Sequence, residues 1–476
     1  MGTFTVGETK IRPGEYHRFE NAGGISLVGA RNGVVAGIIK SNWGPLNQVV
    51  AFSPSTTIKS VFGSGQTEQL ITEMFKGGAN TGYFIRVGTD GTAGSVTLKD
   101  SATESVNAVT ITAKYVGARA FTVTIRDSLV NSSKRECIVY DGTSEFEKIT
   151  FSKNPSGGEA AALVAVINAD SKYFTAEKVS DGNGTLAAVA QSAFTAGTNP
   201  TVNNDAYSNA LGVLEAYSFN VLCVDTEDTT VHELVQAFID RTYAAGQYPM
   251  AVLSEQNTVS NTVDVRMGHA AAFNDAKIIY VLNGGQTANG VTVEGYLNAA
   301  RIGGIIAAVP ANQSVTHYVV SGYAGLSETL TNTQIETALQ KGCLVLSTNS
   351  SGQVWIEQGI NTLITPSGDE DDGWKKIRRA KTRFELMQRI GDTVALLVGK
   401  VNNDTDGRSA VVSAGQNIIN TMVAEGKLSA GTMDEDEDRP AQGDSAWFVI
   451  AVDDVDSIEK FYLTYRFRFA PGADEE

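Results

Sequence analysis

Residues Ile458 to Phe469 alternate without a break: Phe461, Leu463, Tyr465, Phe467 and Phe469 fall on one side, and Lys460, Tyr462, Thr464, Arg466 and Arg468 fall on the other. A two-residue repeat of aromatic and basic side chains is the pattern of a strand with one apolar face. Such a strand, left at an open edge, invites another chain to pair with it. It can cap a sheet of its own molecule, or it can be lent to a neighbouring copy as an added strand. The second reading makes the chain an assembly subunit, and the rest of the sequence has to decide between the two.

The length of 476 residues allows two to four domains of roughly 100–200 residues each. With 42% hydrophobic and 19% charged residues the chain is globular and not disordered. No apolar run approaches the roughly 20 residues that span a bilayer. Residues 1–17 lack the charged-then-apolar pattern of a secretion signal. A net charge of −16 argues against nucleic acid as a general partner. It suits a protein that stays soluble at high concentration until triggered to associate. Cys137, Cys223 and Cys343 each sit in an apolar, strand-like run, and no pair has metal-ligand spacing. They read as small buried thiols in a reducing compartment.

The texture of the chain changes several times. Residues 1–20 read as an arm in which Phe4 and Val6 belong to a short strand. Residues 21–92 and 200–363 read as one discontinuous α/β body. Continuous apolar strands at Gly33 to Ile39, Tyr83 to Val87, Phe219 to Val224, Met250 to Leu253 and Lys277 to Leu282 alternate there with helical segments. That order predicts a mainly parallel sheet covered on both faces. Asp228 or Thr229 caps the helix Val231 to Ala245. Between the halves, residues 93–199 are rich in Thr, Val and Ser in short alternating strands, with one helix at Glu159 to Asn168. This is an inserted β-rich domain. Residues 364–457 form a C-terminal domain with a long helix over Trp374 to Lys400, a second helix over Gly407 to Glu425, and a strand at Trp447 to Val452. Residues 458–476 carry the alternating strand and a tail.

An α/β sheet invites an enzyme reading, but the sequence lacks the chemistry. His17, His232, His269 and His317 are not paired at helical spacing. There is no Gly-x-Ser-x-Gly elbow and no phosphate-binding loop, and Gly63-Ser64-Gly65 lacks the rest of a dinucleotide site. Asp225, Glu227 and Asp228 follow a strand, where a metal could sit, yet negative charge at a helix N-terminus accounts for them more simply. No cofactor and no catalytic residue is expected. The charge feature that stands out is basic. Lys375, Arg379 and Arg383 lie at i, i+4 and i+8, flanked by Lys376 and Arg378, so they share one helix face. A cationic ridge on an acidic protein either is a solvated flank or docks an acidic surface.

Taken together these pieces resemble the tail sheath proteins of contractile phage tails and phage-tail-like bacteriocins. The resemblance is carried by Ile11-Arg12-Pro13-Gly14-Glu15-Tyr16, by Lys114 to Arg119 with Phe121 to Ile125, by Ala196-Gly197-Thr198-Asn199, and by Gly359 to Leu363 followed by Trp374 to Ile377 and the basic helix. Pro200 departs from the glycine common in relatives. The resemblance implies a structural subunit that stacks as hexameric rings around an inner tube, with both termini finishing a β-sheet in adjacent copies. It implies partners in further copies of this chain, a tail tube protein, and baseplate and tail terminator proteins. It also implies residence in a virion or tail-like particle assembled in the bacterial cytoplasm. On this reading Phe4, Val6, Phe461, Leu463, Tyr465 and Phe467 exchange between subunits, and Lys375, Lys376, Arg379 and Arg383 face the tube. The alternatives are another self-assembling shell or surface-layer subunit, or an α/β hydrolase-like enzyme.

Overall fold

The computed structural model describes residues 2–3, 16–17, 32–63, 65, 68–368 and 370–468. Phe4, Val6, Ser64 and Phe469 lie outside these. The chain divides into two compact units, one of residues 31–384 with 454 onward and one of 385–453 joined by the N-terminal stretch. In that stretch Gly2–Thr3 pairs in parallel with Tyr16–His17.

The larger unit is built on a seven-stranded sheet. Its order is Cys343–Leu344, Ile278–Val281, Met250–Ser254, Val221–Val224, Val34–Ile39, Thr81–Arg86 and Val49–Phe52. Every neighbouring pair is parallel except the last, where Val49–Phe52 runs antiparallel to Thr81–Arg86. The central strands are buried along their whole length. This is why they read as unbroken apolar runs: helices cover both faces, so neither face needs polar residues. One face packs against the helices Glu68–Lys76 and Tyr296–Ala308. The other packs against Asn204–Leu214, Thr229–Ala244 and Val263–Phe273. Asp228 caps the Thr229–Ala244 helix by accepting the Thr230 N–H at 2.8 Å.

The insert leaves and re-enters this body through paired segments, with bridges Thr89 to Thr201, Thr92 to Thr198 and Ser95 to Thr195. It is a sandwich of two antiparallel sheets. One has the order Ser144–Ser152, Lys134–Asp141, Thr122–Asp127, Val189–Ala193, and the other Phe174–Lys178, Asn107–Val116, Ala93–Lys99. The helix Glu159–Asp170 contributes Ala160, Leu163 and Ile167 to their common core. Trp43, from the body loop after Val34–Ile39, also reaches that core, edge-on to Phe121 at 5.0 Å and to Tyr115 at 5.2 Å.

The long helix expected over Trp374 to Lys400 is shorter at both ends. A 3-10 turn, Asp372–Lys375, comes first, capped by Asp371 accepting the Gly373 N–H at 2.8 Å. Lys376 then adopts an extended conformation and bridges Ile360, so the α-helix begins at Ile377 and ends at Ala395. Beyond it the chain turns, with Gly399 at φ 73°. The apolar stripe of this helix serves two cores. Ile377, Ala380 and Phe384 belong to the body, whereas Leu386 and Ile390 belong to the smaller unit with Val411, Ile418, Ile419 and Met422 of the helix Thr405–Ala424. The smaller unit also holds a two-stranded sheet, Leu428–Glu435 with Phe448–Asp454. The first of these strands has no clean alternation: only Leu428 and Met433 of it are buried.

Candidate assembly interface

Strand Phe448–Asp454 hands the chain on to the alternating segment. From Lys460 to Arg468 every residue is exposed, with Phe461 at 72%, Tyr465 at 72% and Phe467 at 92%. The rings of Tyr465 and Phe467 stack with centroids 6.4 Å apart and 15° between their planes. Residues two apart therefore share a side, as in a strand. Among the described residues none pairs with this segment in a ladder. Covering such side chains is worth about 1.5–3 kcal/mol each for the large apolar ones, and the unpaired backbone offers a row of donors and acceptors besides.

The two-stranded sheet of the smaller unit also leaves apolar residues open. Val449 and Ile450 are exposed at 47% and 39%. Two strands alone are a marginal sheet, so added strands would both extend the ladder and cover apolar surface.

The basic ridge proves to be fully engaged within the chain. Arg379 holds Asp454 with a two-pronged contact, Nε to Oδ2 at 2.9 Å and Nη2 to Oδ1 at 2.7 Å. Arg383 donates from Nε to the same Asp454 at 3.0 Å, and grips Asp371 through Nη1 and Nη2 at 2.9 and 3.0 Å. Its guanidinium also lies over the Trp374 ring at 4.6 Å. Lys376 pairs with Asp456 at 2.7 Å and Glu459 at 3.3 Å. Lys375 pairs with Asp372 at 2.8 Å. The Glu459 carboxylate takes two further hydrogen bonds, from the Thr316 hydroxyl at 2.9 Å and the Gln358 amide at 3.0 Å. Burial alone would raise the Asp454 carboxyl, but Arg379 and Arg383 outweigh it and hold it below the usual carboxylate range. The hydrogen bond to Asp454 in turn raises Arg379. The signal for these partners was the acidic stretch Asp453 to Glu459, which lies more than seventy residues beyond Arg379 in the chain and shows nothing of its mate.

The residues weighed for metal binding separate. Asp225 is fully buried and accepts from the Tyr207 hydroxyl at 2.7 Å and from the Lys40 N–H. Asp228 is the helix cap, and Glu227 accepts the Gln256 N–H at 2.9 Å. Among the described residues no group of three or more His, Cys, Asp or Glu side chains is placed to hold a metal ion. His232 is buried with Nε2 3.0 Å from the Thr226 carbonyl, and desolvation lowers its pKa. His317 stacks on Trp355 at 3.8 Å. His269 bonds through Nδ1 to Glu255 at 2.9 Å, and the Tyr280 hydroxyl donates to the same carboxylate at 2.9 Å. This polar group at the end of Met250–Ser254 was invisible in the sequence because its members come from three separate elements. The three cysteines are free and buried, and burial pushes Cys137 and Cys343 up to about 12. No helix among the described residues is long and apolar enough to cross a membrane.

Three domain models of one family match in succession: the phage tail sheath protein beta-sandwich domain over residues 89–199, the central domain over 201–362, and the C-terminal domain over 369–468. The chain is 24% identical to the uncharacterized protein YqbK of Bacillus subtilis, over 97% of this chain and 98% of the relative. It is 23% identical to the phage-like element PBSX protein XkdK of the same organism, again over 97% and 98%. Among solved structures, the sheath tail protein of Desulfitobacterium hafniense superposes with a TM-score of 0.71 at 21% identity, covering 93% of this chain and all of that one. The helical sheath of the anti-feeding prophage in its contracted state has a TM-score of 0.53 at 11% identity, over 96% of this chain and 99% of that one. With sandwich, central and C-terminal domains matched in order, the chain belongs to the contractile phage tail sheath proteins and is a structural subunit of such a sheath.

Proposed function

We propose that this subunit stacks as hexameric rings around an inner tube and that the rings close up to drive the tube through a cell envelope. Copies are tied together by strand exchange. Residues 460–468 enter the sheet Leu428–Glu435/Phe448–Asp454 of a neighbouring copy, presenting Phe461, Leu463, Tyr465 and Phe467 to it. Phe4 and Val6 supply the second tie from the other end. The observation that carries this reading is a bare segment: alternating in sequence, aromatic, exposed and without a ladder partner among the described residues. A backbone tether lets rigid subunits rotate and close up without losing connectivity.

The outer partners are a tube protein, a baseplate and a tail terminator, and the particle assembles in the bacterial cytoplasm before it acts outside. The ridge Lys375, Lys376, Arg379 and Arg383 is offered to an acidic tube surface. Lys375, paired with the exposed Asp372, is the member of it most open to such a contact. The internal pairs of the other three weaken any pull on a second anion, which suits a surface that must later release.

Removing residues 458 onward tests the tether. The expected product is a folded body that no longer forms cylinders by negative-stain microscopy. Cylinders of normal length from the truncated protein would rule the tether out. Lys375→Glu should reduce co-assembly with tube at low salt, and unchanged co-assembly would remove that residue from the tube contact.

A further inference from the structure

We infer that Lys376, Arg379 and Arg383 clamp Asp454, Asp456 and Glu459 to the body so that the lent strand departs at one fixed point and pull on it bypasses the sheet from which it emerges. The inference rests on the strand-exchange reading above and names the residues that make such exchange mechanically useful.

The chain path sets the problem. Strand Phe448–Asp454 belongs to a two-stranded sheet, and the exposed segment 460–468 follows it after residues 455–459. A tug on residues 460–468 would be passed along the backbone into that strand and would strain its ladder with Leu428–Glu435. A sheet of only two strands is marginal and has few hydrogen bonds to bear that load. Between the two, residues 454–459 are held by side chains of the body. Asp454 lies in the fork of Arg379 and is also bonded by Arg383. Asp456 and Glu459 meet Lys376, and Glu459 is further bonded by Thr316 and Gln358.

The clamp ends abruptly. Glu459 has a side chain only 10% exposed, whereas Lys460 and every described residue after it are exposed. Its foundations are firm. Ile377, Ala380 and Phe384, on the same helix as the clamp arginines, are packed in the body core. Lys381 of that helix donates to the carbonyls of Ile306 and Val309 at the end of the helix Tyr296–Ala308. Charge-assisted, two-pronged arginine contacts of low exposure hold geometry better than exposed lysine pairs. The partner that feels this clamp is a second copy of the chain, because the point of departure sets which residues of the strand reach its sheet.

The test uses the full chain with Asp454→Asn and Glu459→Gln combined, and separately Lys376→Gln, against the parent and the truncation at residue 458. Two quantities are read: the concentration at which cylinders form, and amide hydrogen exchange of residues 428–435 and 448–454 inside the cylinders. We expect both clamp variants to melt as folded monomers, to need about tenfold more protein to assemble, and to exchange those strands faster in the cylinder while the monomer exchanges as the parent does. If the truncation abolishes cylinders but the clamp variants assemble and exchange like the parent, the clamp is overturned and the strand exchange stands. If the truncated protein still forms cylinders, strand exchange fails and the clamp falls with it.

Discussion

Gly304 and Gly77 meet where two helices cross in the body, and neither has room for a methyl group. A Cβ on Gly304 would lie 2.1 Å from the Met74 carbonyl oxygen and one on Gly77 2.4 Å from the Arg301 carbonyl oxygen. The helices Glu68–Lys76 and Tyr296–Ala308 therefore approach backbone to backbone on one face of the parallel sheet. The obstacle in each case is main chain, which cannot swing aside as a side chain would.

Gly304→Ala should lower stability by about 2–3 kcal/mol, through displacement of one helix and not through lost burial. Urea unfolding of the monomer measures it. Gly325→Ala is the control, since nothing lies within 4 Å of a Cβ there, and it should leave the midpoint close to that of the parent.

The same crossing is cemented by an ion pair. Arg301 donates from Nε to Glu73 at 2.8 Å and again from Nη2, with side chains 3% and 7% exposed, and its guanidinium lies 4.9 Å from the Tyr323 ring centre. Glu73→Leu leaves a buried guanidinium without its counter-charge, at a cost of about 3–5 kcal/mol. Adding Arg301→Met removes the orphaned charge, so the double variant should recover at least half of that loss by the same unfolding measurement. A double variant no more stable than the single would show that the charge is not what matters.

Much of this body was readable from residues alone, for a physical reason. Strands covered on both faces carry runs such as Val221 to Val224, and these differ from any half-exposed element. The limits of legibility were equally physical. Leu428–Glu435 was missed because two buried residues five apart make no period, and its pairing with Phe448–Asp454 supplies the order instead. The helix at Ile377 was drawn too long because the break at Lys376 comes from a bridge to Ile360, a contact outside the local sequence. The ridge shows the same limit. Spacing placed Lys375, Arg379 and Arg383 on one helix face, but Lys375 sits in the 3-10 turn ahead of the extended Lys376 and only the two arginines lie on the helix, while Asp454 and Glu459 come from a distant stretch. The alternation after Ile458 announced a strand and could not say what it pairs with.

Trp43 predicts how the inserted sandwich is tied to the body. It is 1% exposed, lies in the sandwich core, and is 5.6 Å from the Arg119 guanidinium, which also stacks over Phe146 at 4.5 Å and pairs with Asp141 at 2.8 Å. Trp43→Ala should cost about 3–5 kcal/mol, concentrated in the insert. Calorimetry of the variant should then separate an early sandwich transition from a later one for the body. A single sharp transition would mean that the two still melt together without the indole.

Asp225 makes a prediction about pH. It sits at the end of Val221–Val224, fully buried between the Tyr207 hydroxyl and the Lys40 amide. Desolvation raises its carboxyl above the ordinary aspartate value of 3.8, and the opposing pulls of Lys40 and Tyr207 do not cancel it. The folded state therefore binds this proton more tightly than the unfolded state does. Its effect on stability is most favourable below the unfolded value and is lost as pH rises through the folded one. Asn at this position keeps the shape without the charge: its oxygen can take the Lys40 N–H and its nitrogen can donate to Tyr207. Asp225→Asn should accordingly be more stable than the parent at pH 8, with the advantage shrinking towards pH 4. Unfolding midpoints across that range measure it. A variant destabilised at pH 8 would mean that the charged form is the one the fold selects, held by Lys40 and Tyr207 more strongly than burial opposes it.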